Sequence, residues 1–276
     1  MNYTWFLHSK PLRNSLTLIL VLGFGAFLLL PLLTLVLWAF ADRWFYPALT
    51  PQEYSLKWWG WIVGRNEIVK AAYWSITTAP TVTLLSALIC LPAAYAFSRY
   101  EFPLKRVFYV SLLAANAFPK LGLFIAIAAF FFGLGLVNTF WGVVLVQLIN
   151  TLVLMTWIPA ASFSAVPREL EEAARDAGAS PLRVFFTVTL PIAMPGILVA
   201  GILTFLAAFD EAQGTLVVGT PNITTLPVLM YSLVNSYPEP VGAVFSILLA
   251  TPSVILLILS RRILLSGYLA AGFKGG

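Results

Sequence analysis

Lys120 follows Pro119 in the middle of a long apolar stretch, and its chemistry most needs explaining. An ammonium at mid-depth of a bilayer costs about 2.5–3.5 kcal/mol on insertion scales, so the side chain must face a bundle interior or water. Either it lines a path and contacts a solute, or it serves structure. The structural choices are an ion pair with a carboxylate such as Asp210 or Glu211, or snorkelling. Asn116, four residues earlier, would share its helical face. Gln147, Asn150 and Thr151 lie in the next apolar stretch, where each either extends a polar lining or bonds a neighbouring helix. The candidate solute path is therefore Asn116, Lys120, Gln147 and Asn150.

Enzymatic chemistry finds no footing. There is no G-x-x-x-x-G-K-[ST] phosphate loop, so the chain cannot hydrolyse ATP in the P-loop manner. His8 is the only histidine and Cys90 the only cysteine, which excludes a His/Cys metal site, a Cys–His dyad and a disulfide framework. No catalytic or metal-binding residue is assigned, and energy for any transport must come from another subunit or an ion gradient. Composition points to a membrane. Hydrophobic residues make up 60% of the 276 and charged residues 10%, against about 25% charged in a soluble domain; mean hydropathy is +0.91. The net charge of +5 is no nucleic-acid signal, because the basic residues sit in short clusters between apolar runs.

These residues must be positioned by membrane-spanning helices. The expectation is an all-α membrane protein, a single domain, with six spans at about 15–40, 71–98, 107–133, 139–164, 191–209 and 242–265, each near the 20 residues a bilayer requires. The first run is too long for a signal h-region, so an uncleaved span is expected. Prolines 31, 80, 92, 119, 159, 195 and 252 lie within or near spans and argue for irregular helices packed in a bundle. Basic residues set the orientation. Lys10, Arg13, Arg99, Lys105, Arg106, Arg168, Arg175, Arg183, Arg261, Arg262 and Lys274 fall on one side if both termini are cytoplasmic. Residues 42–70 and 210–241 are then external, and the tryptophans at 44, 58, 59 and 61 read as an interfacial belt. No internal repeat supports an inverted-repeat transporter.

Pro167–Pro191 is a charge-dense island between apolar runs and reads as two short helices joined at a glycine. Pro167 suits a first helical turn, with Glu169, Glu171 and Glu172 near the positive dipole end. Leu170, Ala173, Ala174 and Ala177 form a narrow stripe of mostly small side chains. Gly178 supplies a left-handed stop, Ser180 a cap and Pro181 a start; Leu182, Phe185, Phe186 and Thr189 make the second stripe. Such a finger suits a grip by another protein, while the plainer alternative is an amphipathic helix lying on the bilayer.

Glu172-Ala173-Ala174, Gly178, Val188, Leu190 and Pro191 resemble the EAA loop, EAA-x3-G-x9-I-x-L-P, of permease subunits in bacterial ABC importers, with Val188 for Ile the only departure. The resemblance implies that the loop, 167–190, is a cytoplasmic coupling helix docking into an ATP-hydrolysing subunit, through Glu172, Ala173, Ala174, Gly178, Leu182, Phe185, Leu190 and Pro191. Residues 94–106 and 134–145 resemble sugar-type permeases, while 209–232 is closer to polyamine-, iron- and aminophosphonate-type permeases. The family implies a six-span type I permease half in a bacterial or archaeal inner membrane. It further implies a second permease subunit, two ATP-binding subunits and an external solute-binding protein. No cofactor is expected in this chain; ATP and Mg would be bound by the partner ATPase. The leading solute is a sugar or sugar phosphate; polyamine, aminophosphonate or iron-type solutes are the alternative, and a secondary transporter or channel is the alternative class.

Overall fold

The computed structural model describes residues 10–117 and 119–264, with side chains described for 17–261 apart from 109, 113 and 115–118. Helix dominates. In chain order the elements are α1 (Lys10–Ala39), β1 (Ala41–Arg43), β2 (Glu53–Tyr54), α2 (Lys57–Val63), α3 (Asn66–Arg99), α4 (Lys105–Ala117), α5 (Lys120–Gly133) and α6 (Phe140–Ser164). Then come α7 (Arg168–Asp176), α8 (Pro181–Val184), a π-helical turn (Phe185–Thr189), α9 (Leu190–Phe209), α10 (Gln213–Gly219), α11 (Leu226–Ser236) and α12 (Glu239–Leu264). Among the described residues, five helical stretches are long and apolar enough to cross a membrane: Thr17–Ala39, Asn66–Arg99, Phe140–Ser164, Pro181–Phe209 and Glu239–Arg261.

The sequence places one continuous span at 107–133, and here the structure differs. Helix ends at Ala117 and restarts at Lys120, and Pro119 between them is extended, with ψ 110°. Proline has no amide hydrogen to continue the ladder and disfavours a helical residue before it. The two pieces, 13 and 14 residues, each rise about 20 Å, short of the roughly 30 Å core of a bilayer. Residues 210–241, expected as an external loop, also carry structure. They hold α10 and α11, with Gly214, Thr215, Val218, Gly219, Ile223 and Thr225 buried. Their apolar runs are too short to register as spans.

The chain divides into two compact units. One comprises residues through Arg65 together with Leu233–Leu248. In it the β1–β2 hairpin pairs antiparallel, Ser55 N donates to Phe40 O at 2.8 Å, and Trp59 Nε1 donates to Ala39 O at 2.8 Å. Trp61 packs edge-on against Tyr237 and carries the Arg65 guanidinium 4.3 Å above its ring. Along α1 the large apolar side chains, Phe24, Phe27 and Leu29 among them, are exposed, as suits a lipid-facing helix.

The other unit, Asn66–Ser232 with residues from Leu249 onward, is built on α3, α6 and α9. Ala94, Ala160, Phe163, Val166, Ala193 and Ile197 form one cluster, and Ala79, Val82, Val144, Ala208 and Phe209 another. Small residues let these helices approach closely. The Ser86 and Thr151 hydroxyls bond across α3 and α6 at 2.7 Å, and Gly196 of α9 lies directly on Ser162 of α6. Short α10 packs on α5 and α6 in the same way, with Gly214 against Val146 and Phe124 and Gly219 against Val143.

A Cβ at Gly196 would overlap Ser162 Oγ, whereas a Cβ at Gly201 meets nothing within 4 Å. Gly196→Val is therefore expected to cost about 1–3 kcal/mol by overpacking and to lower the melting temperature of detergent-solubilised protein. Gly201→Val should leave it near wild type. Equal melting of the two variants would contradict the close α6–α9 contact.

Candidate functional site

The finger forms as its local signals dictate. Pro167 is extended (ψ 131°) and precedes α7, which starts one residue later than expected. Gly178 adopts φ +88°, a left-handed stop that favours glycine. Ala179 N then donates to Ala174 O at 3.0 Å, closing the helix end. Ser180 Oγ accepts from Arg183 N at 3.4 Å, and Pro181 opens α8. From α8 the chain runs through the π-helical turn directly into α9, so finger and span share one helical stretch, Pro181–Phe209.

The stripe read from the sequence faces outward. Leu170, Ala173 and Ala177 are exposed and Ala174 is half-buried; Leu182 is 73% and Phe186 61% exposed, which leaves apolar side chains uncovered on both helices of the finger. Glu172 and Pro191 are exposed as well. Phe185 and Leu190 turn inward instead. Phe185 packs edge-on against Tyr95 at 5.1 Å and lies 6.1 Å from Phe163, and Leu190 joins the same cluster. Those two residues of the motif position the finger, while the others present its surface.

Glu171 holds it there. The sequence places this residue only as a helix-dipole charge, yet its side chain is 6% exposed and that of Arg99 is 7% exposed. Glu171 Oε1 accepts from Arg99 Nη2 at 2.8 Å and from Thr189 Oγ1 at 2.6 Å, and Arg99 Nη2 also donates to Val166 O at 3.0 Å. A partner 72 residues away leaves no local signal; the only hint was a second glutamate beside the motif's own.

The predicted path residues part company. Lys120 and Asn150 line one cavity of about 650 Å³ together with Asp210, Glu211, Gln213 and Tyr231. Lys120 forms no ion pair with any described carboxylate. Glu211 is committed elsewhere. Its Oε1 accepts from Gly214 N at 2.6 Å, and its Oε2 from Thr215 N at 2.9 Å and Thr215 Oγ1 at 2.8 Å, capping α10. Asp210, the first residue beyond the α9 span, remains on the wall, where burial pushes its carboxyl above the usual carboxylate range. Gln147 is not on this wall. It is fully buried and donates from Nε2 to Thr215 Oγ1 at 2.9 Å, so it binds α6 to α10. The side chain of Asn116 lies outside the described residues, and the break at Pro119 removes the continuous helix that would have set it on the face of Lys120.

Residues 86–268 match the family described as binding-protein-dependent transport system inner membrane component. The trehalose/maltose transport system permease protein MalG of Thermococcus litoralis is 34% identical over 205 residues, 73% of this chain and 74% of that protein. The maltose/maltodextrin transport system permease protein MalG of Escherichia coli K12 is 31% identical over 292 aligned residues, 97% of this chain and 98% of that protein. Among solved structures, a bacterial ABC transporter involved in the import of the acidic polysaccharide alginate matches with a TM-score of 0.71 at 18% identity, covering 92% of this chain and 98% of that one. The MetNI methionine ABC transporter matches with a TM-score of 0.58 at 17% identity, covering 74% and 95%. At these identities the structural likeness is one of fold.

Glu211 and Asp210 are adjacent carboxylates with different roles, and substitution separates them. Glu211→Ala strips buried α10 donors of their acceptor, at about 1–3 kcal/mol for each group left unpaired, and should lower the melting temperature. Asp210→Asn should leave it almost unchanged. A larger loss for Asp210→Asn than for Glu211→Ala would refute the assignment.

Proposed function

The chain belongs to the family of binding-protein-dependent transport system inner membrane components, and from that premise we propose that Pro167–Pro191 is its coupling element. The protein is the permease subunit of an ATP-driven importer. It is not an enzyme, and ATP is hydrolysed by a separate subunit. The observation that carries the reading of the finger is its outward apolar face, Leu170, Ala173, Leu182 and Phe186, on a helix–Gly–helix anchored beneath by Glu171. An outward apolar face on an anchored base suits entry into a cleft of an ATP-binding subunit, and a lipid-lying helix would have no need of the buried anchor.

In this reading α4 and α5 together make the third of six spans, broken at Pro119 next to the cavity-lining Lys120. Both termini and the coupling loop 167–190 are cytoplasmic, and the chain is one permease domain. Its partners are two ATP-binding subunits that hold ATP and Mg, a second permease subunit and an external solute-binding protein. The solute is a sugar. The named solutes of its relatives, trehalose and maltose, support this, and so do the hydrogen-bonding groups and the Tyr231 ring on the cavity wall. Lys120 and Asn150 of that wall are the proposed solute contacts.

Three measurements test this. Ala174→Asp or a bulky residue at Gly178 should leave the protein inserted while uptake of maltose or trehalose falls relative to ATP hydrolysis; wild-type ATPase association and uptake in both variants would sink the coupling assignment. Single cysteines at 53, 103, 175 and 222, all exposed positions, read the topology with an impermeant thiol reagent in intact cells. Labelling at 53 and 222 but not at 103 or 175 is expected, and labelling of 175 from outside would overturn the orientation. Lys120→Met removes charge at similar length, so stable protein with impaired uptake is expected. Unchanged affinity and maximal rate would remove Lys120 from the path.

A further inference from the structure

Four chain segments meet at one buried ion pair. Glu171 belongs to α7; Arg99 is the last residue of α3; Thr189 ends the π-helical turn from which α9 starts; and Val166 follows α6. The motif glutamate, Glu172, is exposed and makes no ion pair among the described residues. We propose that Glu171, not Glu172, is the positioning residue that joins the finger to α3 and α9 so that they move as one lever. The proposal rests on the reading that the finger docks an ATP-binding subunit.

The physical reason is the cost of separation. With both side chains almost fully buried, the finger cannot shift against the end of α3 without separating a buried charge pair. A displaced finger therefore carries α3 and α9 with it. Helix α9 has 20 residues and so runs about 30 Å; its far end brings Ala207, and just beyond it Asp210, to the cavity wall that Asn150 of α6 also lines. The π-helical turn at Phe185–Thr189 is the place where this lever would otherwise give, because its wider ring interrupts the regular ladder. The Thr189 hydroxyl bond to Glu171 clamps that turn. Glu172 stays free for contact with the docked subunit.

The test uses the complete importer, purified with its second permease, ATP-binding subunits and binding protein, in a Cys90→Ser background. Spin labels at the exposed positions 176 on the finger, outside its apolar face, and 89 on α3 report their separation by double electron–electron resonance, without nucleotide and with ATP and vanadate. With Glu171 intact, one narrow distance is expected in both states. Glu171→Leu should give a distribution about twofold broader that shifts with nucleotide, while the ATP-binding subunits still co-purify. Glu171→Gln keeps an acceptor for Thr189 without the ion pair and should fall between; Glu171→Asp should restore most of the narrowing. Wild-type distances in Glu171→Leu would overturn the proposal. If that variant does not accumulate, wild-type distances in both Glu171→Gln and Arg99→Met would overturn it equally. Absence of ATP-binding subunits from the preparation with Glu171 intact would instead refute the docking reading.

Discussion

A carboxylate taken from water into a packed bundle must bring its partners with it, and the finger end of this permease is organised around one that does. Glu171 accepts from Arg99 at 2.8 Å and Thr189 at 2.6 Å with its side chain 6% exposed. Removing one partner of such a pair costs about 3–5 kcal/mol, because the remaining charge stays buried and uncompensated. That penalty fixes where the finger leaves α6, where α3 ends and where α9 begins. Phe185 and Leu190 fill the apolar space beside it. With the inner face settled in this way, Leu170, Ala173, Leu182 and Phe186 are left facing outward.

A related constraint governs the cavity. Buried backbone groups must be satisfied within the protein; the break at Pro119 interrupts one helical ladder, and the start of α10 leaves a second set of amides without a partner in their own helix. Glu211 resolves the second by accepting from the amides of Gly214 and Thr215. Gln147 then ties α10 to α6 through Thr215. Those polar residues are structural, whereas Lys120, Asn150 and Asp210 line the cavity. Substituting Lys120 and substituting Glu211 are thus expected to fail in different ways, one in uptake and the other in folding.

Much of this was legible in the residues. The finger's outline came from Pro167, Gly178, Ser180 and Pro181, each of which acts through its own backbone preference and needs no distant partner. The long spans were read from composition alone. What escaped was of two kinds. Pairings such as Arg99 with Glu171, 72 residues apart, or Gln147 with Thr215, 68 apart, have no local periodicity to announce them. Short apolar helices such as α10, seven residues, vanish inside hydropathy windows sized for a bilayer. Lys120 and Asn116 illustrate a third difficulty. Their expected common face assumed a continuous helix through Pro119, and the proline that marked the site also broke the helix.

The central claim is that the outward face of the finger is the surface gripped by the ATP-binding subunit. Site-specific cross-linking tests it most directly, with a short bifunctional thiol reagent and single cysteines at Leu182 on the finger and at the exposed Leu49 as control, in the assembled importer lacking Cys90. The account predicts a covalent adduct with the ATP-binding subunit from position 182 and none from position 49. No adduct from 182 in an importer that still contains its ATP-binding subunits, or an adduct from 49, would contradict it.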